Sequence, residues 1–248
     1  MKTKYIFLPL FVLLSLASTA QKMEGIITYE KVTRWTKLYS RLTFLSNEER
    51  ERFKMTYGKK DESKTNMILS FNENQSYYTF SEERDPEQSY SWREDEFKIY
   101  RNFATEKRTD IIEMLGKTYI VDDSLKAPKW KVMNKIKEIG GYMCMMATTE
   151  DTIKKQKITA WFANNFAIPL GPELYSGLPG AILELDINDG DVVITAKKIE
   201  LKPLVEDLNV PKKMKGRKIT NKQYDDLVWA HITESEKASR AYFWAMPY

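Results

Sequence analysis

Residues 158–191, ITAWFANNFAIPLGPELYSGLPGAILELDINDGD, carry the densest backbone punctuation in the sequence. Gly171-Pro172 and Gly177-Leu178-Pro179-Gly180 set free and fixed φ angles side by side, which specifies defined turns rather than a slack linker. Ahead of them, Ile158 to Phe162 reads as a strand. Behind them, Ala181-Ile182-Leu183-Glu184-Leu185 opens a buried strand, and Asn188-Asp189-Gly190 is the strongest hairpin signal in the chain. The stretch therefore predicts strand, loop, turn, strand and hairpin.

The flanking sequence repeats that logic in shorter pieces. Met23 to Val32 alternates, with Gly25, Ile27 and Tyr29 on one side, and predicts a first strand. Met67 to Phe71 and Ser76 to Phe80 flank Asn72-Glu73-Asn74-Gln75 as a hairpin. Ser81 to Glu96 is polar and reads as a long loop. Further strands are expected over 97–103, 107–114, 118–121, 130–132, 135–139, 142–147 and 192–201. Ser46-Asn47-Glu48-Glu49 has capping-box spacing and opens a short helix or a polar excursion. Lys212, Lys213, Lys215, Arg217 and Lys218 form a basic run, read as a solvated loop or a contact with an anionic lipid surface. Thr220-Asn221-Lys222-Gln223 is a second capping box, and Tyr224, Leu227, Val228 and His231 repeat as one face of an amphipathic helix. Ala241-Tyr242-Phe243-Trp244 is expected to fold back onto the body. About ten strands and one clear helix predict a mainly β, mostly antiparallel single domain over residues 21–248.

Lys2 and Lys4, the apolar run Tyr5 to Leu16 and Ala17-Ser18-Thr19-Ala20 have the layout of a cleavable signal peptide over residues 1–20, cut after Ala20. The expected address is periplasmic or secreted. No other segment is long and apolar enough to span a membrane as a helix. A net charge of +4 over 248 residues gives no case for a nucleic-acid partner. Cys144 is the only cysteine, so stability must come from the core rather than from an internal disulfide.

Motifs of chemistry are sparse. His231 is the only histidine, so any His-dependent triad must use it, and it sits on the apolar face of the last helix. No nucleophile-elbow, zincin or phosphate-loop pattern occurs. Met143-Cys144-Met145-Met146 offers soft ligands for Cu(I), but strand alternation leaves only two on each face, and core packing is the preferred reading. Asp186, Asp189 and Asp191 lack the spacing of a calcium loop and read as a hairpin turn. These patterns predict a non-enzymatic protein with no metal and no cofactor.

Several ordered blocks resemble the GLPGLI family, exported proteins described mainly from Bacteroidetes. They are Leu69-Ser70-Phe71-Asn72 with Ser76, then Trp130, then Ile139-Gly140-Gly141-Tyr142-Met143-Cys144 with Ala147. Ala160-Trp161-Phe162, Ile168-Pro169, Gly171-Pro172 and Gly177 to Leu183 complete the set. Ala181 stands where the namesake motif has leucine, and Phe162 where tyrosine is common. The resemblance implies little chemistry. Its strand pattern is similar to that of periplasmic lipoprotein carriers, which implies a curved antiparallel sheet or unclosed barrel with a C-terminal helix; fold alone does not fix function. The signature residues Trp161, Gly171, Pro172, Gly177, Leu178, Pro179 and Gly180 then have two readings. They form a corner that holds the sheet's curvature, with Trp161 covering the turn, or a ligand-binding loop at a cavity mouth. The expected partner is an apolar small molecule or lipid. An envelope protein docking on a sheet edge or on the C-terminal aromatic segment is the alternative, and a copper- or redox-linked role for residues 143–146 is the weaker one.

Overall fold

Alternation decides which side of each strand is buried, and register carries that side from strand to strand. Ile27 and Tyr29 are fully buried, as the first strand's pattern predicts. Ile27 lies opposite Leu69, which continues through Tyr78, Ile99, Asp110, Val121 and Ile219 as one row across seven strands. Each fully buried Ile, Leu or Val of such a row contributes roughly 1.5–3 kcal/mol.

The computed structural model describes residues 23–59, 61–82, 96–205 and 207–248. Its strands are β1 (Gly25–Arg34), β2 (Glu62–Phe71), β3 (Gln75–Phe80), β4 (Phe97–Asn102), β5 (Lys107–Met114) and β6 (Lys117–Ser124). They continue as β7 (Lys131–Ile139), β8 (Tyr142–Asp151), β9 (Gln156–Ala163), β10 (Ala181–Ile187), β11 (Val192–Leu201) and β12 (Arg217–Ile219). Three helices are described: α1 (Trp35–Ser40), α2 (Asn47–Tyr57) and α3 (Asn221–Lys237). All twelve strands form one sheet in the order β12-β6-β5-β4-β3-β2-β1-β11-β10-β9-β8-β7. Only the β12–β6 pair is parallel. The fold is mainly β, mostly antiparallel and unclosed.

Both halves of the sheet, the β9–β10 loop and α3 share one hydrophobic core. Tyr224, Val228 and Ile232 carry α3 into it, and the Thr220 capping box starts the helix where the sequence places it. A smaller cluster of Leu38, Leu42, Leu45 and Phe243 sits under α1 and the folded-back C-terminus.

Some details depart from the sequence reading. The two short strands expected around residues 130–139 are a single strand, β7. Its register passes from Met133–Met146 to Ile136–Met145, so Asn134 and Lys135 bulge out. The basic run ends in β12, which adds to the sheet edge through backbone bonds that its side chains do not announce. Helix α1 has six residues, too few to show a period. Most of the loop read at 81–96, and all of residues 1–22, lie outside the described residues. No helix among the described residues is long and apolar enough to cross a membrane.

Candidate functional site

The signature loop, residues 164–180, folds inward. Phe166, Ile168, Leu170 and Leu178 are buried in the main core. Phe166 packs edge-on against Phe71 at 5.3 Å and Tyr142 at 5.7 Å, linking the loop to both halves of the sheet. Backbone bonds stitch it down: Gly177 N donates to Pro169 O at 3.0 Å, Ala181 N to Phe166 O at 3.0 Å and Ile182 N to Leu170 O at 2.9 Å. The Trp130 indole donates to Ser176 O at 3.0 Å and its ring meets Tyr175.

The glycines fit this packing. A Cβ on Gly180 would collide with the carbonyl of Ala163, and Gly177 has φ of 88° with Ala127 against it. Gly171 faces Tyr175 O and the Ile182 side chain. Pro172 and Leu178 are buried, whereas Pro179 is exposed at the turn. Trp161 stands on β9, partly buried against the main core. It pairs across the sheet with Met146 and Glu184, and the Lys137 ammonium lies 4.4 Å from its ring while binding Glu184 at 2.5 Å. The loop residues are thus brought together, and Trp161 packs on the Lys137–Glu184 ion pair.

The loop also carries charge into the interior. Glu173, only 5% exposed and held at φ of 56°, accepts from Lys31 Nζ at 2.7 Å and from Tyr78 OH at 3.4 Å. Nearby, Arg101 and Arg108 both pair with fully buried Asp110, and Arg108 lies over the Tyr224 ring at 5.4 Å. Burial pulls the Arg101 guanidinium down, against the carboxylate of Asp110. Sequence reading missed this buried polar set. Its one visible hint is the row Arg101, Arg108, Asp110, where charges occupy positions that alternation assigns to the core.

The remaining candidates are accounted for locally. His231 Nε2 lies 3.1 Å from Tyr242 O, tying α3 to the C-terminal segment. Asp186 accepts from Gly190 N at 2.5 Å, Asp189 pairs with Lys157, and buried Asp191 meets Arg41 and Tyr248 OH. These bonds build and clamp the hairpin. Cys144 is fully buried, burial pushes its thiol up to about 11, and Met143 points outward. Among the described residues no three His, Cys, Asp or Glu side chains gather as a metal site.

Outside the core, a cleft of about 340 Å³ opens on the β4–β6 face opposite Asp110. Tyr100, Thr109, Lys107 and Asp122 form its floor, and Leu208, Val210 and Met214 of the β11–β12 connection form its wall. Gln75 Nε2 donates to Asn209 Oδ1 at 3.2 Å, holding that wall to β3. Lys212, Lys213 and Lys215 stand exposed beside it with no ion pair among the described residues.

Residues 148–184 match a family described as "Protein of unknown function (Porph_ging)". The matched span runs from β8 through β9 and the signature loop into β10. A search of curated proteins returned no match. Two crystal structures of PNGF-II, in space groups P21 and C2, are similar with TM-scores of 0.54 and 0.53 at 14% and 15% identity. Each match covers 84% of this chain and 33% of PNGF-II, so the likeness concerns the fold of about a third of a longer protein. An uncharacterized conserved protein from Thermus thermophilus aligns over 78% of this chain and 90% of its own at 5% identity and a TM-score of 0.35, too low to bear on the fold.

Proposed function

We propose that this chain is an exported GLPGLI-family protein that binds a lipid, lipid-linked or other apolar group without catalysing a reaction. The observation that supports this reading is the cleft beside β4–β6. Its volume of about 340 Å³ lies in the range of small-molecule sites. Leu208, Val210, Met214 and Tyr100 offer apolar contact, and the exposed lysines at its rim suit an anionic head group. The site differs from the expected one, because the signature loop occupies the interior where a carrier's ligand would lie.

Native mass spectrometry on protein purified from the envelope, with organic extraction, tests the proposal. The expected result is a co-purifying lipid whose occupancy falls at least tenfold in Val210→Asp and Met214→Glu. An empty wild-type protein, or a lipid unaffected by both substitutions, overturns it.

A second reading has its own support. Strand β7 is a sheet edge with Val132 49% and Ile136 67% exposed, and the same fold forms part of longer PNGF-II. An envelope protein adding a strand there is the corresponding proposal. Pull-down from envelope extracts with Ile136→Pro as control separates it from the lipid reading.

A further inference from the structure

Beneath the signature loop lies a set of buried polar groups whose hydrogen-bonding capacity is not used inside the protein. Gln156, 3% exposed, has neither its amide nitrogen nor its amide oxygen bonded. The Tyr224 hydroxyl, on a residue 4% exposed, is also without a partner, as is Nη2 of Arg108. Lys154 is 7% exposed and donates one N–H to Pro247 O at 2.8 Å; no carboxylate pairs with it among the described residues.

These groups belong to one place. Gln156 is the direct cross-strand partner of Asp151. Asp151 Oδ1 caps the β8–β9 turn by accepting from Ile153 N and Lys154 N, each at 2.9 Å. Asp151 lies within electrostatic reach of Lys154, Tyr175 and Tyr224, and Lys154 within reach of Arg108, Glu173 and Lys31. Arg108 in turn sits over the Tyr224 ring.

The chemistry of the unused groups gives the ligand's sign. Arg101 and Lys154 are buried and Lys31 and Arg108 half-buried; the carboxylates among them are buried Asp110 and Glu173 and half-buried Asp151 and Asp225. Lys31 is matched to Glu173, and the two arginines share Asp110. Asp151 is engaged with its own turn. Asp225 lies beside Arg108, and Lys154 is left without an ion pair among the described residues, in a region where unpaired ions are costly. The unused groups are mostly donors: ammonium, guanidinium, amide N–H₂ and phenol.

We propose that this interior is a binding site for a small oxyanion, a carboxylate or phosphate group, held by Lys154, Arg108, Gln156 and Tyr224. The signature loop forms its fixed roof through Glu173 and Tyr175, and Lys31, 21% exposed at its side chain, marks the side nearest solvent from which the anion would enter. The site is independent of the outer cleft.

The test uses the folded protein with inorganic phosphate and with acetate as separate probes, against chloride at equal ionic strength. Wild-type protein is expected to gain about 5 °C or more in melting temperature with one of the two at tens of millimolar. Phosphate also stabilises proteins generally, so Lys154→Met is the deciding comparison. That variant removes an unpaired buried charge, is expected to melt no lower than wild type without anion, and is expected to lose the anion-dependent gain. Gln156→Leu is the second variant, expected to weaken the gain. Equal gains in wild type and Lys154→Met overturn the proposal, as does the absence of any gain in wild type. A crystal structure grown with the anion that shows only water among these four side chains overturns it too.

Discussion

Glu173 is a carboxylate in a turn, at a backbone angle that side-chain-bearing residues seldom adopt, yet it is almost fully buried. The partner that explains it, Lys31, is 142 residues away in sequence. Removing one member of a buried ion pair leaves the other unpaired, which costs about 3–5 kcal/mol. Glu173→Ala and Lys31→Met are therefore each expected to lower the unfolding free energy by about 3 kcal/mol in urea denaturation. The double variant is expected to lose less than the sum of the two. Strict additivity would show that the pair is not coupled. Nothing local in Gly171-Pro172-Glu173-Leu174 signals a buried acid. Short-range pattern gives the turn; only the three-dimensional partner gives the burial.

At the scale of elements, the β9–β10 connection behaves as part of the core. Its glycines and prolines were legible as turns, because φ requirements are local properties. Their packing was not: Gly180 is required by the carbonyl of Ala163, which its own sequence neighbourhood does not reveal. Gly180→Ala is expected to cost about 2–3 kcal/mol by forcing backbone apart. Pro179→Ala, at the exposed turn next to it, is expected to cost under about 1 kcal/mol. Equal costs would mean that the turn, and not the close approach, holds the loop. Strand β7 shows the same limit of local reading. Its bulge at Asn134-Lys135 interrupts the alternation, so one strand presents itself as two. Helix α3 was legible at both levels, since its capping box and its apolar face are each written within one helical turn or two.

Across the whole molecule, the class of fold was readable because alternation and turn chemistry recur in nearly every segment. Strand order was not, since pairing of β1 with β11 joins residues from opposite ends of the chain. The cleft and the buried polar set were equally hidden, because each is assembled from segments far apart in sequence. One consequence of so many buried phenols and a buried thiol concerns pH. Burial raises the ionisation of Tyr29, Tyr78, Tyr175 and Tyr224 above the ordinary tyrosine value, and that of Cys144 to about 11. The unfolded chain therefore releases these protons first as pH rises. Stability present below about pH 9 is expected to fall progressively toward pH 11. Urea midpoints measured across that range check this, with Cys144→Ala expected to make the fall shallower. A flat profile would contradict the burial of these groups.

The central claim is that the signature loop is a fixed plug of the sheet's interior and not a mobile gate. Amide hydrogen exchange at Gly177, Ala181 and Ile182, whose N–H groups bond to Pro169, Phe166 and Leu170, tests it most directly. The expected result is protection equal to that of Ile27 and Leu185 in the core strands, with exchange only through global unfolding. Exchange of these three amides within seconds under native conditions, while Ile27 and Leu185 stay protected, would contradict it.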